Sequence, residues 1–230
     1  MNQHPPVLIG NSHSILIFLA AQECGFELRG APLASGPQPP YSEDGSAFHL
    51  EIEELLRSGP VFSAISRSVH DILSIIRHPR PFDLAIPGRD DLPFERGAEL
   101  IPYQAFREQL ARSMALDLSL MELANKISGG QLIQILSQPP LRRSEIVETL
   151  APWPLKEGQT IAPPYVRLKS YLVYSDILSE YCTRLDIPLI RPPARAICDR
   201  GFLIEGFHSN ATHANVAYGH LVLEQMRAML

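Results

Sequence analysis

The chain is poor in cysteine: Cys24, Cys182 and Cys198 are the only three in 230 residues, and no two form a Cys-x-x-Cys pair. An odd number at such wide spacing excludes a disulfide framework and a zinc ribbon, and it predicts a reducing compartment, hence a cytoplasmic location. Basic blocks are missing as well. Twenty Lys and Arg stand against 25 Asp and Glu, a net charge of −5 spread along the chain, with no aromatic–basic stripe. No nucleic acid is expected as a partner. No apolar run approaches the ~20 residues needed to cross a bilayer. The run at 14–21 follows His4-Pro5-Pro6 rather than a basic segment, so neither export nor a membrane contact is expected. No segment recurs at a fixed period, which excludes a repeat architecture.

What is present suits a globular chain with a sizeable core. Hydrophobic residues make up 45%, and 230 residues are expected to form a single domain over 1–230. Proline is abundant and falls in pairs at Pro5-Pro6, Pro39-Pro40, Pro139-Pro140, Pro163-Pro164 and Pro192-Pro193. Each pair must end or precede a regular element. Between these marks, strands are predicted at 7–9, 26–30 (an edge strand), 61–66, 131–137 and 187–190. Helices are predicted from Ser14, over 47–57, through Ile72 to Ile76, over 102–127, 165–185 and 214–229, with a short one at 144–150. Residues 31–46, 78–97 and 141–161 read as loops, the second as a surface excursion that Phe82, Leu84 and Ile86 could pin to the body. Strands alternating with helices point to a five-stranded parallel sheet in a three-layer α/β/α sandwich. Ligands bind such sheets beyond the C-terminal strand ends. Ser12, Ser68 and Pro139-Pro140 all lie just past strand ends and can converge on one rim.

Two stretches carry chemistry. Val7-Leu8-Ile9-Gly10-Asn11-Ser12-His13 reads as a buried strand, a tight turn and a helix start. A serine there either caps the helix or is a nucleophile whose own N–H faces the oxyanion it creates. Near the other end, His208-Ser209-Asn210-Ala211-Thr212-His213-Ala214-Asn215 crowds two histidines and two asparagines before an apolar helix. Metal binding by His13, His70, His208 and His213 is the weaker reading. No two share the helical i, i+4 spacing and no carboxylates are interleaved, so no metal and no cofactor is expected. Gly129-Gly130 precedes a strand and makes no dinucleotide fingerprint. Asp71, Arg67 and Arg29 read as solvated or structural.

Together, Gly10-Asn11-Ser12-His13 and Asn210-Ala211-Thr212-His213 resemble the two end motifs of the SGNH (GDSL-type) hydrolase superfamily. That family has a flavodoxin-like α/β/α fold, opens with a Gly-Asp-Ser turn and closes with Asp-x-x-His. The resemblance implies Ser12 as nucleophile and His213 as general base. It puts Asn210 where the family has the aspartate that orients the histidine, and Asn11 where it has the acid of the first block. It further implies two oxyanion donors besides the Ser12 N–H. One is a glycine, with Gly36 and Gly45 both open. The other is an asparagine after the third strand, where Ser68 sits nearest the expected place. Asp199 or Glu205 stand as alternative carboxylates for His213. His13 and His70, just past strand ends, are expected at the same rim, and Asn215 and Tyr218 are expected to brace the His213 loop. The implied activity is hydrolysis or transfer of a small acyl or acetyl ester, with a small-molecule or glycan ester as substrate. The three departures at Asn11, Ser68 and Asn210 leave a catalytically inactive binding protein of the same fold as the alternative.

Overall fold

The computed structural model describes residues 4–33, 39–66, 68–149 and 155–230. Among them are the strands β1 (Val7–Gly10), β2 (Arg29–Pro32), β3 (Val61–Ala64), β4 (Phe82–Leu84), β5 (Glu99–Ile101), β6 (Leu132–Ile135) and β7 (Leu189–Ile190). Five of them form one parallel sheet in the order β2-β1-β3-β6-β7, while β4 and β5 pair in parallel as a separate ribbon. The helices are α1 (Ser12–Glu23), α2 (Leu50–Leu56), α3 (Val69–Ser74), α4 (Tyr103–Ser113), α5 (Ala115–Ile127), α6 (Ser144–Thr149), α7 (Pro164–Arg184) and α8 (Val216–Arg227).

The alternation of side chains along each strand divides the core in two. Val7 and Ile9 of β1, Val61 of β3 and Leu132 of β6 pack with Ile52, Leu110, Met121 and Leu168 from α2, α4, α5 and α7. Leu8, Phe62 and Ile135 point the other way, onto Leu16 and Ile17 of α1, Val147 of α6 and Val222 and Met226 of α8. The sheet is thus covered on both faces, as parallel sheets require. The expected three-layer sandwich is the observed one.

Two expectations are corrected, and a third is made specific. The second strand begins at Arg29, not Phe26. Gly25, with φ 64°, ends α1, and the Phe26 N–H returns to the Ala21 carbonyl at 2.9 Å, so 26–28 are still part of the helix stop. The helix expected over 102–127 is two helices. Met114, buried at the junction, has ψ −7°, and its N–H bonds both the Leu110 and Ala111 carbonyls, a tightened last turn. The excursion at 78–97 is pinned to the body at the expected residues, with Leu84 and Ile86 in the core and Phe82 packed against it. Fully buried Asp83 of β4 receives Lys169 Nζ of α7 at 2.9 and 3.0 Å and the Glu95 N–H at 2.7 Å, and Lys169 also donates to the Pro93 carbonyl.

A tight approach between helices joins the two ends of the chain. A Cβ on Gly219 of α8 would stand 2.4 Å from the Leu16 carbonyl oxygen of α1. Only glycine lets these backbones meet. Gly219→Ala should therefore cost about 1–3 kcal/mol by forcing the helices apart. Urea unfolding reads this, and an unchanged midpoint would show that the contact is not tight.

Candidate active site

Because β1, β3 and β6 run parallel in register, with Gly10 beside Ala64, their C-terminal ends share one edge, and the turns leaving the three strands meet there. After β1, the Asn11 N–H bonds the Ala64 carbonyl at 3.3 Å, while the Asn11 carbonyl takes the Ser14 N–H at 2.9 Å and the Ser14 hydroxyl at 2.7 Å. Asn11, not Ser12, is therefore the helix N-cap, so the reading of Ser12 as a cap is set aside. Ser12 is the first helical residue, where the backbone N–H has no acceptor within the helix. Its side chain is exposed, and its Oγ lies 2.7 Å from His213 Nε2 across 201 residues of sequence.

The loop that presents His213 is an Asx turn. Asn210 Oδ1 accepts the backbone N–H groups of Thr212 and His213, each at 2.9 Å, and lies 3.0 Å from His213 Nδ1. The two backbone donors fix which end of the amide faces inward, so it is the oxygen that meets the ring. Nδ1 then carries the proton, and Nε2 presents its lone pair to Ser12. Thr212 Oγ1 lies 2.9 Å from the same Nδ1. Asn215 caps α8 by accepting the Tyr218 N–H at 3.2 Å, and its NH₂ reaches the Gly206 carbonyl at 2.9 Å. Half-burial lowers the His213 pKa from its usual 6.5; no charged group offsets it.

The His13 ring stacks on His213 at 4.9 Å between centroids, and its Nε2 meets Ser68 Oγ at 2.5 Å. Burial first, then the neighbouring His213, push its pKa down to about 3 against the opposing pull of a hydrogen bond with the Gln138 side chain. Ser68 itself is held at φ 49°, ψ 41°, a left-handed conformation uncommon for a residue with a side chain. His70 does not reach the rim. It lies buried with its ring stacked on Tyr174 at 4.5 Å and edge-on to Tyr171, and burial pushes it to about 3 as well.

The other expected residues fall elsewhere. Gly45 shapes the 42–46 turn at φ 70°, and its α-carbon faces Leu116 of α5. Gly36 and Arg67 lie outside the described residues. Glu205 pairs with Arg143 at 3.7 Å rather than with His213, and Asp199 is exposed. Arg29 is structural, holding the Pro5 and Ser58 carbonyls. Among the described residues, no group of three or more His, Cys, Asp or Glu side chains is placed to hold a metal ion. No described helix is long and apolar enough to cross a membrane.

Sequence reasoning passed over Thr212 and Gln138, and read Asp71 only as solvated or structural. Gln138, next to the Pro139-Pro140 stop, donates to the Thr212 carbonyl at 2.6 Å and ties the β6 end of the rim to the His213 loop. Asp71 is not solvated: burial raises its pKa to about 7 against the pull of Arg167, and it lines a narrow cavity with Gln138, Asn210 and His213.

These shifts set how stability depends on pH. A histidine with a lowered folded-state pKa stabilises fully above 6.5, and that contribution is lost as pH falls from 6.5 towards the value of about 3 that His13 and His70 have. Asp71, raised to about 7, acts oppositely: its contribution is intact below the usual 3.8 and is lost as pH rises. Between pH 4 and 6, the buried histidines, joined by His213 whose pKa is lowered as well, outweigh one carboxyl, so acidification should destabilise the fold by on the order of 1 kcal/mol per pH unit. His70→Phe should remove most of this slope in urea unfolding at pH 4, 5 and 6; an unchanged slope would contradict the buried neutral His70.

No protein-family model and no curated protein matches the sequence. Solved structures do. A candidate acylhydrolase from Bacteroides fragilis NCTC 9343 aligns over 97% of this chain and 86% of its own, at 10% identity and a TM-score of 0.52. A candidate platelet activating factor from Streptococcus pneumonia aligns over 99% and 84%, at 11% identity and a TM-score of 0.50. At such identities the likeness is one of architecture, and it agrees with the strand order and the two covered faces described above: the chain has the three-layer fold of the SGNH (GDSL-type) hydrolases.

Proposed function

We propose that this protein is a serine-dependent ester hydrolase, or acyl-transfer enzyme, acting on a small acyl or acetyl ester. The observation that carries the reading is the 2.7 Å contact between an exposed Ser12 Oγ and a His213 Nε2 whose lone pair faces it. Ser12 Oγ attacks the ester carbonyl carbon as its proton passes to His213 Nε2. The Ser12 N–H, at the positive end of α1, meets the oxyanion. Collapse breaks the bond to the alcohol oxygen, which takes the proton back from His213 and leaves an acyl-Ser12. Water, or a second alcohol in the transfer case, then attacks with His213 again as base, and Ser12 is regenerated.

Asn210 acts here as orienter. It fixes the Nδ1–H tautomer through its oxygen but brings no charge to the imidazolium that forms, so turnover is slower than with a carboxylate. In a serine-protease triad, the corresponding Asp→Asn change costs about 10⁴-fold, although there the tautomer itself is wrong. The exposure of Ser12 suits an ester on a larger alcohol, including a glycan, better than a deeply enclosed substrate. The missing charge at Asn210 also favours a second reading, a binding protein of the same fold without turnover. The free thiols of Cys24, Cys182 and Cys198 are in keeping with a cytoplasmic setting.

Hydrolysis of p-nitrophenyl acetate should be measurable for the wild-type protein and should fall by at least about 10³-fold in Ser12→Ala. kcat/KM should rise with pH as His213 loses its proton, with a midpoint below 6.5, because burial lowers its pKa. Activity that survives Ser12→Ala, or a profile flat from pH 4 to 8, would remove the Ser12–His213 pair from the mechanism.

A further inference from the structure

Asn210 orients His213 without charge, and one carboxyl stands a short step behind it. Asp71 of α3 lines a narrow cavity of about 10 Å³ together with Asn210, Thr212, His213 and Gln138. Its carboxyl is largely buried yet makes no hydrogen bond among the described residues. His70 Nε2, at 3.6 Å from Asp71 Oδ1, is beyond hydrogen-bond reach. The opposite charge that draws on it is Arg167 of α7. That guanidinium has its own N–H groups committed to the carbonyls of Ala162, Leu141 and Arg142 and to Ser144 Oγ. The carboxyl thus brings unused lone pairs to the wall of the cavity.

Asn210 brings the donor that such an acceptor lacks. Every hydrogen bond of its side chain among the described residues is made by Oδ1, with the N–H groups of Thr212 and His213, with Thr212 Oγ1 and with His213 Nδ1. Its NH₂ has no acceptor there. A space of about 10 Å³ is about the least that holds one water molecule, which needs two to four polar partners. The Asp71 carboxyl and the Asn210 NH₂ are two of them. An acceptor drawn onto an amide NH₂ moves electron density through the conjugated group onto its oxygen, and hydrogen bonds in a chain polarise one another. Negative charge at Asp71 is thereby felt at His213 Nδ1.

We infer that Asp71 is a positioning residue acting through Asn210. Its carboxylate, joined to the Asn210 NH₂ by one water molecule, polarises the amide whose oxygen holds the His213 Nδ1–H. It so stabilises the imidazolium that forms when Ser12 gives up its proton. Part of the charge that position 210 lacks is supplied from one group further back. This inference rests on the ester-hydrolysis reading for its effect on turnover but not for the link between Asp71 and Asn210. The charge depends on pH: burial raises Asp71 to about 7, so the carboxylate is present above that value and protonated below it. The other titratable groups around Asp71 and His213 hold still between pH 5.5 and 8. His70 and His13, both pushed to about 3, stay neutral. The Tyr171 phenol of α7, raised well above its usual value, stays protonated, and Arg167, lowered only to about 10, stays cationic. Of these groups, only Asp71 and His213 change charge in that range.

Two measurements on the intact protein test it. The first follows the side-chain NH₂ signals of ¹⁵N-asparagine-labelled wild type from pH 5 to 8.5, with Asn210 assigned by its loss in Asn210→Asp. The Asn210 NH₂ should move in two steps, one with His213 below 6.5 and one centred near 7 with Asp71. Asp71→Asn, which keeps the shape of the side chain, should abolish the upper step alone. A wild-type signal with no upper step, or an upper step that survives Asp71→Asn, would overturn the inference whether or not the protein hydrolyses esters. If the wild type proves inactive, the proposed function fails while this titration still decides the link. The second measurement compares kcat/KM on p-nitrophenyl acetate for wild type and Asp71→Asn at pH 5.5 and pH 8. Beyond the rise that His213 gives, the wild type should gain a second step through about 7 as Asp71 ionises. At pH 8 the substitution should therefore lower kcat/KM by about 3- to 10-fold, the effect of half to one pKa unit of charge interaction. At pH 5.5 both proteins carry a neutral group at position 71, and their rates should agree to within about two-fold. Equal rates at both pH values, or a loss of the same size at both, would contradict the inference; the latter is the mark of a structural role.

Discussion

Everything at the candidate site depends on two helices from opposite ends of the chain lying backbone to backbone. α1 presents Ser12 at its first residue, and the loop entering α8 presents His213. Neither alone makes a site. Gly219 lets α8 approach until its α-carbon rests on the Leu16 carbonyl. The apolar faces of both helices then close over Leu8, Phe62 and Ile135 of the sheet. With the helices locked, the Asx turn at Asn210 fixes the last few ångströms, because one amide oxygen takes two backbone N–H groups and faces the ring nitrogen. The contact between Ser12 and His213 is thus set by packing first and hydrogen bonding second.

The electrostatics of the site are those of neutral groups. Three histidines lie within it or just beneath it, and burial pushes each away from the charged form. For His13 and His70 the burial cost leaves both uncharged throughout the physiological range. His213, only partly buried and open to Ser12, is the one placed to take up and release a proton. An amide stands where a carboxylate would stabilise the resulting cation. Orientation is therefore retained while charge stabilisation is reduced.

The fold was legible wherever an apolar run was bounded by proline or glycine. β1, β3, β6 and β7 fall where such runs predict them, because fully buried parallel strands need nothing beyond apolar residues between stops. The second strand was misplaced because Phe26 and Leu28 look like strand residues, yet they pack beside α1 and α8 while Gly25 is still ending the helix. The three-residue β4 and β5 have no periodicity to read. Their place depends on Asp83 meeting Lys169, 86 residues on. Ser12 and His213 were legible as a pair from two short motifs in matching positions. The fate of His70 was not, since it turns on Tyr171 and Tyr174 of α7, and neither was the Ser68 contact with His13. Gly45 looked suitable by composition, but its neighbour is Leu116 and its role is a turn.

The central claim is that an amide-oriented histidine still activates Ser12. Reaction with a fluorophosphonate, followed by intact mass and peptide mapping, tests this most directly, since it requires the nucleophile and its base but no knowledge of the substrate. The wild-type protein should take up one phosphonyl group on Ser12, and Asn210→Asp should label faster. A wild-type Ser12 that stays unlabelled while Asn210→Asp labels readily would contradict the account, and would leave a binding protein in which the charge lost at position 210 had ended catalysis.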